Sequence, residues 1–292
     1  YTLSLHDALP ILPVVFAFMT FTGALKSSFK DIGAVLRKPL PLLLILAVLH
    51  VVMPCTAWSV GEMFFAGNRE LITGMVLEFS VPAAVVGMMW VSIYKGDSSI
   101  TLSLLVIDTV LAPFIIPLTL KILVGARVKM NPAEMMKDLV FMIALPALLA
   151  MCLNQFSGGK VKEKWPGKLA FWSKLCLIYC VICNSSKVAP YVRHMNLQRV
   201  FVAVCIMILA AAGYAIGWGI SVLLKQDEKT RISMIYGSGM RNISAGAVIA
   251  ATYFPGEVMF PVMIGTLFQQ VLAACYGSLI KRVRNREKGC KK

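Results

Sequence analysis

Long apolar segments alternate with short charged clusters along almost the whole chain. Most of the apolar segments reach about 18 residues, the length at which a helix becomes a candidate for crossing a bilayer. The short alternating segments that build membrane β-barrels are absent from the pattern. The pattern predicts an all-α polytopic membrane protein with nine spans, at about 12–25, 41–65, 71–94, 98–124, 138–156, 169–186, 198–224, 232–254 and 258–280.

Two of these spans are interrupted by residues that weaken a helix. The third contains Val-Pro-Ala-Ala at 81–84, and the eighth contains Gly-Ser-Gly at 237–239. If one helix precedes the visible nine, ten spans divide into two repeats of five, and the interrupted spans are counterparts. Paired broken helices mark the binding site of many transporters. The predicted helix breaks are Pro82, Gly87, Gly237 and Gly239.

The start of the chain differs from the rest. Residues 1–11 (YTLSLHDALPI) resemble a translated sequencing adapter, so we interpret them as a non-native leader and expect the first helix to be missing. Residues 12–292 form one predicted transmembrane transporter domain. Its first repeat covers about 12–124 and its second about 138–280, and a basic cytoplasmic tail follows at 281–292.

Charge placement predicts the orientation. The chain is 58% hydrophobic and 15% charged, with net charge +15 and mean hydropathy +0.77. One predicted face holds 20 Lys and Arg residues and the other holds 8, which places the C-terminus in the cytoplasm. The cations flank membrane spans, so they indicate contact with membrane lipid and no nucleic-acid partner. We expect an integral protein of the bacterial inner membrane, of unknown oligomeric state.

The sequence contains no motif for catalysis or for a bound cofactor. P-loop, HExxH and GxSxG patterns are absent, so no enzymatic activity is predicted. The eight cysteines are scattered, and the one CxxC, at 180–183, lies inside an apolar span. We interpret these thiols as small buried hydrophobes. No metal site or cofactor is predicted, and coupling to sodium or to protons is left open.

The charged residues that matter most inside predicted spans are Arg241 and the two clearest intramembrane carboxylates, Glu78 and Asp108. An arginine at the centre of a membrane helix costs roughly 2.5–3.5 kcal/mol on insertion scales, so a retained one is usually enclosed, paired or functional. One interpretation makes Arg241 a fixed cation that faces an anionic substrate. The other makes it the structural partner of Glu78 or Asp108. Proton binding at either carboxylate is a further hypothesis.

Uncharged polar residues extend the candidate site. His50 lies one turn before Pro54, as a relay residue or as a structural one. Adjacent helical residues point about 100° apart, so we expect only one residue of the Gln269–Gln270 pair to face the site. The candidate substrate- and ion-binding residues are Arg241, Asn242, Asp108, Glu78, Thr101, Ser238, Gln269, Gln270 and His50.

Several segments resemble the bile acid:sodium symporter family. They are 21–25 (FTGAL), 29–31 (FKD), 37–39 (RKP), 52–54 (VMP), 95–97 (KGD) and 239–242 (GMRN), in the order and at the spacing of that family, with Pro82 and Pro261. The resemblance covers almost everything after residue 12. It implies an inverted-repeat fold with a core and a panel domain, two crossing discontinuous helices, and alternating-access transport of organic anions.

The family's sodium ligands mostly do not carry over. The resemblance places its Ser-Asn pair on Gly87 and Met88, and its two hydroxyl ligands on Thr101 and Leu105. The remaining positions fall on Gly237 for a glutamate, Arg241 and Leu49 for two glutamines, and the retained Asn242. A transporter with the usual two sodium sites is therefore not expected.

The sequence predicts a secondary transporter of a small organic anion, bile-acid-like or a small carboxylate, that is sodium-independent or atypically coupled. Alternatives are a conventional sodium-coupled symporter and a carrier of the auxin-efflux or malonate type. A membrane scaffold or sensor that does not transport is the rival from a different class.

Overall fold

The computed structural model describes residues 11–25, 27, 39–125 and 131–289. Eleven helices lie within these ranges. They are α1 (Leu12–Ala24), α2 (Pro39–Phe65), α3 (Arg69–Ser80), α4 (Val86–Tyr94), α5 (Ser98–Leu123), α6 (Pro132–Phe156), α7 (Lys160–Arg193), α8 (Leu197–Leu223), α9 (Glu228–Gly239), α10 (Ile243–Tyr253) and α11 (Gly256–Gly289). Six of them, α2, α5, α6, α7, α8 and α11, are long and apolar enough to cross a membrane. The predicted all-α polytopic class is confirmed.

Two of the long helices contain a π-helical turn just before a proline. In α2 the turn covers Val48–Val52 and precedes Pro54. In α6 it covers Val140–Ala144 and precedes Pro146. A proline has no N–H to donate to the carbonyl four residues earlier, and its ring crowds that carbonyl. The wider turn relieves the crowding, and in α2 it contains His50.

The two predicted interruptions are real breaks, but three of the four predicted break residues do not lie in them. The first break follows Ser80 and contains Pro82, as expected, whereas Gly87 is helical within α4. The second break begins only at Met240, so Gly237 and Gly239 belong to the last turn of α9. Those two glycines allow close packing. A Cβ at Gly239 would overlap the ring of Tyr214 on α8.

The helices pack as two groups. Helix α1 packs against α6 and α7, and we call these three helices the panel. The other eight form the core, in which α3 packs against the preceding α2, and α9 packs in the same way against α8. The half-helices α4 and α10 contact the following helices α5 and α11. The two repeats themselves stay a prediction.

Hydrogen bonds and an ion pair define two ends of the bundle. At the tail end, Arg284 of α11 pairs with Glu228 and donates to the carbonyl of Tyr94. At the far end, Asn68 donates to Glu257 over 3.0 Å, and Tyr253 donates to Asp138. The predicted cytoplasmic clusters around Lys95, Lys225 and Lys281 belong to the tail end. Residues 1–10 of the predicted leader (1–11) and the basic segment at 28–38 lie outside the described residues.

Candidate functional site

The two breaks cross each other through backbone hydrogen bonds. Ala83 and Arg241 form an isolated antiparallel β-bridge. The N–H of Asn242 donates to the carbonyl of Pro82 over 2.7 Å, and the N–H of Ala84 donates to the carbonyl of Met240 over 3.2 Å. Buried backbone groups that leave a helix need such partners. At the crossing, each broken helix therefore provides hydrogen-bond partners for backbone groups that the break in the other helix leaves unpaired.

Two side chains support the second break. The Asn242 side chain caps α10 by accepting the N–H of Ala245 over 3.2 Å. Gln269 of α11 accepts the N–H of Arg241 at its Oε1 over 2.8 Å. Its neighbour Gln270 instead accepts the indole N–H of Trp90 over 3.0 Å, on an exposed part of the surface. Of the predicted glutamine pair, only Gln269 reaches the crossing.

Asp108 of α5 holds the first break. Its Oδ2 accepts the N–H of Ala83 over 2.7 Å, and its Oδ1 lies 2.5 Å from Nε2 of His50. The Asp108 side chain is 0% exposed and that of His50 is 6% exposed. The sequence suggested Arg241 as a possible partner of Asp108. The direct partners are His50 and a backbone N–H, because α5 turns the carboxylate toward α2 and the first break.

Arg241 lies at the centre of the crossing and is 3% exposed. Within the described ranges, none of its three guanidinium nitrogens has a hydrogen-bond partner. Asp108 and Glu78 are both close enough to act on its charge electrostatically. A buried charged group without hydrogen bonds is costly, so the arrangement favours a ligand, a water or a rearrangement that satisfies the guanidinium.

Glu78 approaches the same region from α3 and is 3% exposed. One of its carboxylate oxygens, Oε2, has no hydrogen-bond partner among the residues that the structure describes. The other, Oε1, lies against Gly265 of α11, where a Cβ would overlap it. Glycine at 265 therefore makes room for the carboxylate.

The remaining predicted site residues lie away from the crossing or beside it. The Thr101 hydroxyl donates to the Asp97 carbonyl at the start of α5, toward the tail end. The Ser238 hydroxyl is buried against Gly217 of α8 and has no partner in the described part of the chain. Thr101 precedes Asp108 by seven positions, which is about two turns of α5, so it does not reach the crossing that contains Arg241.

Sequence reasoning missed three contributors to the site. They are the backbone N–H of Ala83, the Tyr214 ring and the small surface of Gly265. Tyr214 packs on Gly239 and lies near Arg241. The glycines of α8 were a usable signal, since Gly213 and Gly217 do allow close approach of α9, although Gly219 has no neighbour within 4 Å. Nothing local marks Ala83 or Gly265.

The fold and this site define a class: a polytopic helical membrane transporter with two crossing discontinuous helices. The model of the Sodium Bile acid symporter family matches residues 13–194. The chain therefore belongs to the sodium bile acid symporter family, as the motifs predicted. It is an integral membrane protein and a transporter of organic anions or other metabolites.

Relatives in bacteria and animals cover most of the chain. "Uncharacterized protein YbaS" of Bacillus subtilis (strain 168) is 42% identical over 270 residues, which are 92% of this chain and 88% of that protein. "Uncharacterized sodium-dependent transporter YocS" of the same organism is 21% identical over 265 residues, 89% and 80% of the two chains. The "Hepatic sodium/bile acid cotransporter" of Homo sapiens is 23% identical over 278 residues, 92% and 78%.

Proposed function

We propose that the protein is a secondary transporter of a small organic anion in the bacterial inner membrane, and that Arg241 is the cation that faces the substrate. One observation carries this proposal. Arg241 is buried where the two broken helices cross, and its guanidinium has no hydrogen-bond partner among the described residues. A guanidinium presents five donors in a planar fork that matches a carboxylate or a sulfonate.

The neighbouring carboxylates do not saturate the arginine. Both oxygens of Asp108 are engaged, one by His50 and the other by the N–H of Ala83. Glu78 acts on Arg241 electrostatically and makes no hydrogen bond to its guanidinium. The two carboxylates therefore reduce the cost of burying the charge and leave the hydrogen-bonding positions of the guanidinium for a substrate.

Backbone dipoles favour the same ligand. Helix α10 begins next to Arg241, and the N-terminus of a helix carries roughly half a positive charge. The N–H groups of Ala245 and Gly246 donate to Asn242, and that of Ile243 donates to the carbonyl of Arg241, so the helix dipole rather than free N–H groups would attract the ligand. An anion at this end of α10 would meet both the dipole and the guanidinium.

The positions that correspond to the family's sodium ligands favour sodium-independent transport. Gly237 lies against the apolar side chains of Leu104 and Ile45. Leu49 is completely buried and has no side-chain oxygen. A sodium ion needs several oxygen ligands, and of the corresponding positions only Thr101 and Asn242 retain a side-chain oxygen.

Sodium-coupled symport is the second candidate, because the names of two relatives describe sodium-dependent proteins. It requires that backbone carbonyls or other side chains replace the missing ligands. Direct comparison of sodium and potassium buffers separates the two candidates.

The test is a thermal-shift screen of the purified protein with acetate, malonate, benzoate and taurocholate, each in sodium and in potassium buffer. A ligand at one hundred times its Kd stabilises the folded state by about 2.7 kcal/mol. We expect at least one anion to raise the melting temperature equally in both buffers. Arg241→Gln should abolish the shift, and Arg241→Lys should retain part of it.

Arg199→Gln is the matched control, since Arg199 lies at the far end over the ring of Tyr191. An unchanged anion affinity in Arg241→Gln would refute the substrate role of the arginine. Ligand shifts that occur only in sodium would favour the conventional symporter. A protein that binds none of the anions, and takes none up into proteoliposomes, would support the scaffold or sensor alternative.

A further inference from the structure

The contact between His50 and Asp108 is the shortest polar link at the crossing. Nε2 of the imidazole lies 2.5 Å from Oδ1 of the carboxylate, and both side chains are buried. The other ring nitrogen, Nδ1, is buried and has no hydrogen-bond partner in the part of the chain that is described. A neutral ring that donates from Nε2 to Asp108 therefore keeps an unused lone pair on Nδ1.

The charge balance around the pair depends on its neighbours. The charged group that acts on Asp108 is Arg241 of the second break, on which Glu78 of α3 and Tyr214 of α8 also act. With a neutral His50, a neutral Tyr214 and an ionised Glu78, two carboxylates share one guanidinium. An uncompensated buried charge is strongly unfavourable, so the cluster gains from taking up one monovalent cation.

A proton fits this place better than a metal cation does. Both oxygens of Asp108 already accept hydrogen bonds, whereas a sodium ion needs several free oxygen ligands at once. A proton needs one lone pair, and Nδ1 of His50 has it. Addition of the proton there converts the pair into an imidazolium and a carboxylate, and no bond between heavy atoms forms or breaks.

The position of His50 in α2 also points to function. It lies in the π-helical turn of Val48–Val52, where the usual spacing of backbone bonds is interrupted. Single π-turns within α-helices occur frequently at functional sites. This turn directs an ionisable ring at a carboxylate that also holds the helix break.

We propose that the His50–Asp108 pair is a proton-binding site that provides the coupling ion of this transporter. When His50 is protonated, the imidazolium neutralises the charge of Asp108, and the Arg241 guanidinium is available to bind the substrate. When His50 is neutral, the charge of Asp108 acts on Arg241 and competes with the substrate. Proton and anion then bind cooperatively, which is the condition for symport. The coupling rests on the proposed function; proton binding by the pair does not.

The test measures proton binding without any substrate. Proteoliposomes in sodium-free buffer are adsorbed to a solid-supported membrane and exposed to a rapid pH jump. The wild-type protein should give a transient charge displacement. His50→Gln and Asp108→Asn should abolish it, and His194→Gln, at the far end, should retain it. A wild-type protein without a transient, or a transient that persists in His50→Gln, would overturn the proposal.

A second measurement covers the possibility that Asp108→Asn does not fold. Nitrogen-15 NMR of ring-labelled histidine in the double variant His6→Gln, His194→Gln, in which His50 is the one histidine left, should show Nδ1 of His50 gaining a proton as the pH falls. A ring that keeps one protonation state across the range in which the pH jump is applied would contradict the proposal. An intact proton response together with anion binding that is indifferent to Arg241→Gln would refute the substrate assignment alone.

Discussion

The two helix breaks make similar backbone hydrogen bonds to each other, but the charged side chains beside them have opposite signs. The first, after Ser80, contains Pro82, and its free N–H at Ala83 is met by the Asp108 carboxylate. The second, after Gly239, is held by the neutral side chain of Gln269 and carries the unpartnered guanidinium of Arg241. One break therefore binds an anion that belongs to the protein, and the other leaves a cation exposed to the site.

The difference shows that two similar helix breaks can have different roles. In the first break the Asp108 carboxylate accepts the backbone N–H of Ala83, so the backbone there needs no ligand. In the second, the buried charge is balanced by neighbours but is not hydrogen-bonded. The first break is expected to set the stability of the crossing, and the second its ligand affinity.

The largest expected effect follows from removal of the carboxylate at the first break. Asp108→Leu leaves the N–H of Ala83 and the His50 ring without a partner and removes a counter-charge of Arg241. Loss of one partner of a buried pair costs about 3–5 kcal/mol. Equilibrium unfolding in mixed micelles should show this loss. Asp138→Leu, whose partner is Tyr253 at the far end, should cost much less, and equal losses would break the comparison.

The glycines near the two breaks should respond unequally. A Cβ at Gly239 would overlap the Tyr214 ring, whereas one at Gly87 would lie 3.7 Å from Met240, an ordinary contact. Gly239→Ala should lower the free energy of unfolding by about 1–3 kcal/mol through overpacking. Gly87→Ala should be neutral or slightly stabilising, because alanine favours the helix. The same unfolding assay decides, and a costly Gly87→Ala would indicate that α4 is packed as tightly as α9.

The caps of the two second half-helices give a smaller contrast. Asn242 accepts the N–H of Ala245 at the start of α10, while Val85 at the start of α4 offers no side-chain acceptor. Asn242→Ala should destabilise the protein by about 1 kcal/mol, the usual cost of a lost cap. Val85→Ala should have no capping effect. If the two variants unfold alike, the cap contributes nothing to the second break.

The smallest effect concerns the other ends of the same half-helices. Lys187 of the panel donates to the Ala251 carbonyl at the end of α10, and Arg284 of the core donates to the Tyr94 carbonyl at the end of α4. Each cation next to a helix C-terminus contributes about 0.3–1 kcal/mol. Lys187→Met should therefore cost this amount of unfolding free energy at low salt, and less at high salt. A cost that is independent of salt would argue against an electrostatic cap.

Much of the architecture was predictable because it depends on local pattern. The apolar segments gave helices near the predicted spans, and Pro82 marked a break at the residue where it occurs. The predicted breaks at Gly237 and Gly239 were wrong, since glycine weakens a helix only where packing does not compensate. Here the Tyr214 ring fills the space beside Gly239, and the helix continues to it.

The candidate site was only partly predictable. The sequence identified Arg241, Glu78 and Asp108 as buried charges, because charged residues inside apolar spans are rare. It did not identify His50 as the partner of Asp108, and it did not separate Gln269 from Gln270. These pairings depend on the rotation of each helix about its axis, which the residue order within one helix does not specify.

The sequence by itself determined that this chain spans a membrane, where its helices run, that two of them are interrupted, and which family it resembles. Hydropathy and helix-breaking residues act over one or two turns, so their consequences can be read along the chain. Only the tertiary structure decided that Asp108 meets His50 and the backbone of Ala83, and that the Arg241 guanidinium meets no hydrogen-bond partner within the described ranges. Those contacts join residues from separate helices, and the packing of the whole bundle selects them.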